Sequence, residues 1–265
     1  MKIKLYGTRG SAPAAYKDFL EYGGNTCSVY VDCGMNIIFD AGSGILPLGK
    51  ELIDDKRPIH IFLSHVHLDH ISGLSGFSPL YQKGREIHIY GEMRDSRSIE
   101  DQIRNIISPP YWPVGFDDFA ANISFHTIAA DEKIELNSNV SISTQRSIHP
   151  NQCLLFRVCT PDSDMVYALD YEYVLSDHDT FINFIKNADL MIFDAAYLPG
   201  KEIPGFGHSS WKTAVDVANE AYVNEVVMAH YSYEYNDTVL SEEEKKMMEY
   251  SDKGLFGREG MEIEI

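Results

Sequence analysis

Ser64-His65-Val66-His67-Leu68-Asp69-His70 packs three histidines and an aspartate into the six residues after Ser64. Neutral imidazole nitrogens and a carboxylate oxygen together suit zinc, manganese or iron. The same residues would make a poor core, and the bland reading is a solvated polar loop. In an extended segment His65 and His67 project to the same side, because side chains alternate. Asp69 and His70 fall where the chain turns into a helix, so they can face a second centre nearby.

Six residues cannot complete two coordination spheres. Three further candidates share one context, a histidine or acid at the end of an apolar strand-like run. His149 follows VSISTQRSI, Asp170 ends MVYALD and His230 ends EVVMAH. Strand ends hold side chains at fixed geometry, although each residue taken alone also fits an ordinary structural role. His60, His88 and His126 lie inside strand-like runs, and His178 lies at a helix start, so they lack this combination.

The elements that must position these residues alternate along the chain. β-Branched and aromatic runs bounded by Gly, Asn and Asp predict strands at 3–8, 26–32, 36–40, 58–64 and 86–91. In the second half they predict strands at 123–128, 133–137, 140–148, 153–160, 165–170, 189–195, 225–230 and 261–265. Helical spacing predicts helices over 44–55, 95–107, 177–187, 209–222 and 241–251, and the start of one over 71–81. Pro47 is tolerable only in the first turn of its helix, and Ser176 or Asp177 is the expected cap of the helix that follows. Many strands with helices in both halves predict two sheets packed face to face with helices outside, an α+β fold. No repeat or linker divides the chain, so residues 1–265 are expected to form a single domain.

Composition narrows the class. Of 265 residues, 44% are hydrophobic and 23% charged, which excludes a disordered, collagenous or coiled-coil protein. No apolar run reaches the ~18 residues of a membrane span, and the N-terminus has no apolar core of a secretory signal. The formal charge of −18 denies the chain the positive field that drives non-specific nucleic-acid binding. Cys27, Cys33, Cys153 and Cys159 lack C-x-x-C spacing and are expected to be buried free thiols in a reducing cytoplasm.

The ordered set His65-x-His67-x-Asp69-His70, His149, Asp170 and His230 resembles the metallo-β-lactamase superfamily. More closely, the chain resembles the branch that includes ribonuclease Z and the phosphoribosyl cyclic phosphate diesterases. GTRGS (7–11), YGGNT (22–26), IIFDAGSG (37–44), YALD (167–170), DLMIFDAAY (189–197) and GHSS (207–210) carry the likeness over nearly the whole chain. The resemblance implies an αββα sandwich of two mixed sheets and two divalent cations, zinc or manganese. It implies that His65, His67 and His149 bind one cation, that Asp69, His70 and His230 bind the other, and that Asp170 bridges them. It assigns catalytic roles to Asp69, Asp194 and His208, with His208 of the HS[ST] motif as general acid. Where ribonuclease Z usually has Glu, this chain has the shorter Asp194. Asp40 is expected either to support the ligand loop or simply to form a turn.

The implied function is a phosphodiesterase acting on a small cyclic phosphodiester, with a 3′,5′-cyclic mononucleotide as the first expectation. The features GTRGS and PPYWPV are similar to those of phage-encoded diesterases that open cyclic nucleotides of immune signalling. A metal-held hydroxide is expected to attack phosphorus. Rival readings are a tRNA 3′-processing endoribonuclease, a lactone or thioester hydrolase, and a metal-bound sensor without catalysis. The acidic balance and the lack of a Lys/Arg-rich arm count against the first. The expected partner is a small-molecule phosphodiester rather than a long nucleic acid or a membrane, with a homodimer as the assembly. The segment 107–119, rich in proline and aromatics, reads as a loop that stacks on a base, as a dimer contact, or as an ordinary packed loop.

Overall fold

The strand-forming runs pair across the chain rather than in one meander. A computed structural model describes residues 1–265. The strands of the first half are β1 (Lys2–Gly7), β2 (Arg9–Gly10), β3 (Ser28–Asp32), β4 (Asn36–Phe39), β5 (Ile59–Phe62), β6 (Glu86–Glu92) and β7 (Asn122–Ile128). Those of the second half are β8 (Lys133–Glu135), β9 (Ser141–Arg146), β10 (Leu154–Cys159), β11 (Asp164–Ala168), β12 (Leu190–Asp194), β13 (Glu225–Ala229), β14 (Tyr231–Ser232), β15 (Gly254–Phe256) and β16 (Glu262–Glu264). The helices are α1 (Ile45–Glu51), α2 (Leu68–Ile71), α3 (Ile99–Ile106), α4 (His178–Ile185), α5 (Trp211–Glu220) and α6 (Asp237–Tyr250).

One seven-stranded sheet runs β16-β1-β3-β4-β5-β6-β7, and a second runs β15-β13-β12-β11-β10-β9-β8. Both are mixed: β4 to β7 are parallel neighbours, as are β11, β12, β13 and β15. Parallel strands covered on both faces read as continuous apolar runs, which is why NIIF and IHIF look featureless in sequence.

Alternation sorts the side chains into three layers of core. Ile37 and Phe39 of β4 face the second sheet, where they meet Phe156, Tyr167 and Ile192. Ile38 points the other way, into a cluster with Ile45 and Leu48 of α1 and Ile99 and Ile103 of α3. On the outer face of the second sheet, Val166, Met191 and Val226 lie under Phe181 of α4 and Trp211 and Val215 of α5. Helix, sheet, sheet and helix follow in that order, the αββα sandwich expected from the sequence.

The local departures have local causes. No α-helix forms over 71–81; Leu74–Gly76 and Ser78–Tyr81 are single 3₁₀ turns, broken by Gly73, Gly76 and Pro79. A four-residue helix, α2, opens earlier, inside the histidine-rich segment itself. Asp177 stands at the N-cap of α4 but does not cap it with its side chain; its Oδ2 accepts the Tyr171 hydroxyl instead. Helix α6 begins at Asp237, four residues before the predicted start, because the Asn236 side chain accepts the Val239 N–H.

The 107–119 segment is anchored by packing. Ile107, Phe116 and Phe119 are buried, and Trp112 packs on the same cluster. Of its aromatics only Tyr111 is largely exposed, at 78%. All four cysteines are free; Cys27 and Cys153 are buried, and Cys33 and Cys159 half-buried.

Candidate metal centre

Three of the singled-out residues stop a strand in the same unusual way. Asp40 after β4, Asp170 after β11 and His230 after β13 have φ of 58°, 55° and 66°. Few non-glycine residues occupy this left-handed region, and such conformations gather at functional sites. Each turns the chain sharply at the strand end and aims its side chain along the rim between the sheets. The rim receives the 65–70 segment from β5, His149 from the turn after β9, and Asp194 from the last residue of β12.

All seven predicted ligand residues meet there. Around one point stand Asp69 Oδ2, His70 Nε2, His230 Nε2 and Asp170 Oδ2. Asp69 lies 3.3 Å from His70 and 3.3 Å from His230. Asp170 Oδ2 lies 3.0 Å from His70 and 3.2 Å from His230. The two histidine nitrogens are 3.3 Å apart. A tetrahedral cation with bonds of ~2.0–2.1 Å has ligand-to-ligand edges of about 3.3–3.4 Å. The second group joins ring nitrogens of His65, His67 and His149, which lie within 4.8 Å of one another. Asp170 turns its other oxygen to this group, with Oδ1 3.4 Å from His149 Nε2 and 3.9 Å from His65 Nε2. Asp170 Oδ2 and His65 Nε2 are buried, yet neither makes a hydrogen bond. Buried polar atoms left unpaired are costly, and these aim their lone pairs at shared points rather than at donors. The donor set therefore fits divalent cations.

Residues 29–231 match the β-lactamase superfamily domain. The chain belongs to the β-lactamase superfamily. It is 23% identical to the probable metallo-hydrolase YhfI of Bacillus subtilis (strain 168), over 87% of this chain and 86% of that protein. It is also 23% identical to a ribonuclease Z of Archaeoglobus fulgidus, over 100% of this chain and 97% of the relative. Among solved structures, a diphosphatase from the PhnP family superposes with a TM-score of 0.73 at 18% identity, covering 100% of this chain and 97% of the other; that likeness shows the fold.

In this superfamily member a second ring of residues orients the first. The Asp40 carboxylate accepts the Ser64 N–H and hydroxyl, each at 2.8 Å, and the Tyr167 hydroxyl at 2.7 Å. It also lies 2.7 Å from His70 Nδ1, which leaves Nε2 for the centre. Asp40 is thus both the turn and the support. Ser64 Oγ lies 3.1 Å from His65 Nδ1 and turns that ring the same way. The GTRGS signature is equally local in purpose. The Ser11 N–H donates to Asp69 Oδ2 at 2.7 Å. A Cβ at Gly10 would lie 2.5 Å from the His230 ring, so only glycine fits there. Arg94 ties the ligand loops together by donating to the carbonyls of Ser64, Asn151 and Gln152. Ser11, Ser64, Arg94 and Tyr167 were not singled out by sequence reasoning. Ser64 in the histidine-rich segment, the GTRGS context of Ser11 and the YALD context of Tyr167 were the available signals; nothing local marks Arg94.

Asp194 is the hub on the other side. Its Oδ1 accepts the backbone N–H of Ala196 and Ser209, each at 3.0 Å. Its Oδ2 lies 2.8 Å from His208 Nδ1 and 3.3 Å from His230 Nδ1. The shorter aspartate therefore reaches His208. Burial alone would raise its carboxyl, but His208 and His230 hold it at about 2. Burial by itself lowers His208, and the Asp194 charge more than reverses this, so the ring stays protonated above the usual histidine range.

The surroundings of the two ligand groups pull their histidines in opposite directions. Burial pushes His65, His67 and His149 down, His149 to about 4, so these rings stay neutral and open to a cation. Burial opposes charge on His70 and His230 too, but Asp170 and the other carboxylates around them raise both. The remaining histidines stand apart. His60, His88 and His126 sit on adjacent strands, with His60 stacked on His88 and His88 Nδ1 3.1 Å from His126 Nε2. His178 pairs with Glu220 at 3.0 Å and joins α4 to α5.

Proposed function

We propose that this metal-dependent hydrolase is a dinuclear phosphodiesterase for a small cyclic phosphodiester, with a 3′,5′-cyclic mononucleotide as the best candidate. His65, His67 and His149 would hold one divalent cation, Asp69, His70 and His230 the other, and Asp170 would lie between them. The observation that carries the reading is Asp170 itself, with one oxygen turned to each group. Two cations, when bound, neutralise phosphoryl charge and make water a nucleophile near neutral pH.

The chain's own residues supply the rest. Asp194 accepts a hydrogen bond from His208 Nδ1–H, which leaves Nε2–H as the acid for the leaving alkoxide. The Asp194 carboxylate stays ionised throughout, so it also stabilises the imidazolium before the transfer. Ser11 holds Asp69 Oδ2, which leaves Oδ1 to accept a hydrogen bond from the attacking water.

A tRNA 3′-processing activity is the second reading, favoured by the ribonuclease Z relative that spans all of this chain. The charge of −18 argues against a long polyanion, while a single phosphate needs only local attraction. One screen separates the readings. The metal-loaded protein is incubated with cyclic mononucleotides, cyclic ribose phosphates, a tRNA precursor and a lactone. Ring opening of a cyclic phosphodiester with little tRNA cleavage is expected. Efficient tRNA cleavage with cyclic substrates untouched replaces the proposal with the second reading, and lactone turnover alone replaces both.

A further inference from the structure

Beside His67 the surface opens into a cleft of about 500 Å³, within the range of small-ligand sites. His67, Met93, Arg97, Asn105, Ile106 and Asn151 line it. One of these side chains is out of keeping with the rest of the molecule. The chain has nine arginines, and eight of them spend their guanidinium groups on carboxylates or carbonyl oxygens. Arg97 is exposed, and its side chain makes no hydrogen bond or ion pair. Its backbone is nonetheless fixed. Its N–H and C=O pair with Arg94, and the Gln102 amide donates to its carbonyl. In a protein of charge −18, the one unpaired guanidinium thus stands at the mouth of a cleft that reaches a proposed cation ligand.

The lining says what Arg97 meets. Asp95 shares the cleft and offsets its charge. Arg94, the other cation, is consumed by the carbonyls of Ser64, Asn151 and Gln152. Arg94 also shares its charge with Glu92, which leaves Arg97 as a single free donor fork rather than one of a cluster of cations. Met93 and Ile106 provide apolar surface for a flat ring, and the exposed Asn105 amide offers one donor and one acceptor. A guanidinium fork matches two adjacent acceptors on a planar heterocycle, as O6 and N7 of guanine present them.

We propose that this cleft is the base subsite of the active centre, that Arg97 and Asn105 read the base edge, and that the preferred base is guanine. The inference rests on the nucleotide reading above. It gives a role in specificity to residues outside the ligand set, and it places the base on the His67 side, away from His208.

Direct binding tests the subsite without turnover. The zinc-loaded full chain is titrated by calorimetry with 5′-GMP, 5′-AMP, ribose 5-phosphate and ribose 1,5-bisphosphate. The wild type, Arg97→Ala and Arg97→Lys are compared. 5′-GMP is expected to bind at least about fivefold more tightly than 5′-AMP or ribose 5-phosphate. Arg97→Ala should bring it to the level of ribose 5-phosphate, and Arg97→Lys should not restore the gap, because an ammonium lacks the fork. Equal binding of the three monophosphates overturns the proposal. So does tightest binding of the bisphosphate with full rescue by lysine, which makes the cleft a second phosphate site. A uniform loss for every ligand in Arg97→Ala also overturns it, since Arg97 is then structural. Base discrimination in a protein that opens no cyclic nucleotide leaves the subsite standing and defeats the substrate reading alone.

Discussion

His208 Nδ1 lies 2.8 Å from Asp194 Oδ2, and the same oxygen accepts the backbone N–H of Asp170 at 3.1 Å. One carboxylate therefore sets both the tautomer of the proposed proton donor and the position of the proposed bridging residue. Proton transfer and metal spacing are tied to a single buried side chain at the end of β12.

Replacing His208 should separate catalysis from metal binding. His208→Ala is expected to keep both cations and to lower turnover of a natural diester by about 10²–10⁴-fold, the usual contribution of general acid catalysis. The loss should shrink sharply with a p-nitrophenyl ester, whose leaving group needs no proton. Metal content and turnover on both esters are the measurements. Equal losses on the two esters with metal intact would assign His208 to substrate positioning, and loss of metal would make it a ligand.

The pH profile should report the Asp194–His208 contact. His208 acts as an acid only while protonated, and Asp194 raises its pKa, so the rate should persist into the neutral range and fall as pH rises through that raised value. Asp194→Asn removes the charge. The alkaline fall in kcat is then expected at lower pH, together with a lower plateau. An unmoved alkaline limb would show that another group titrates there.

Asp170→Asn tests the bridge. The amide keeps the side chain's size but removes the charge facing both ligand groups. Loss of at least one cation per chain and of most activity is expected from elemental analysis and rate measurements. Two retained cations with normal turnover would remove Asp170 from that role.

Gly207 offers a test of how tightly the loops are packed. Its φ is 85°, and a Cβ there would lie 2.1 Å from His149 Cδ2. Gly207→Ala should cost roughly 1–3 kcal/mol in denaturant unfolding, from strain and displacement of the ring. It should also weaken the metal held with His149, read by chelator competition. Unchanged stability and unchanged metal affinity together would contradict this geometry.

By itself, the sequence determined the element types and the set of chemistry-bearing residues. Strand runs such as MVYALD and EVVMAH carry their β-branched and aromatic signal locally, and the 65–70 segment holds its donors within two turns of chain. Over 71–81 apolar spacing speaks for a helix while Gly73, Gly76 and Pro79 speak against it, and the chain forms two 3₁₀ turns instead. Tertiary structure alone decided what these residues could do. Asp170 turns one oxygen to each group because the chain turns left-handed two residues after β11, a strand that lies beside β12. Tyr167 reaches Asp40 across 127 positions because the two sheets face each other. Arg97, left unpaired, comes to line the same cleft as His67, while Arg94 takes the carbonyls of Ser64, Asn151 and Gln152. Local propensity acts over a few residues, whereas orientation, pairing and charge depend on groups that only folding brings within hydrogen-bond distance.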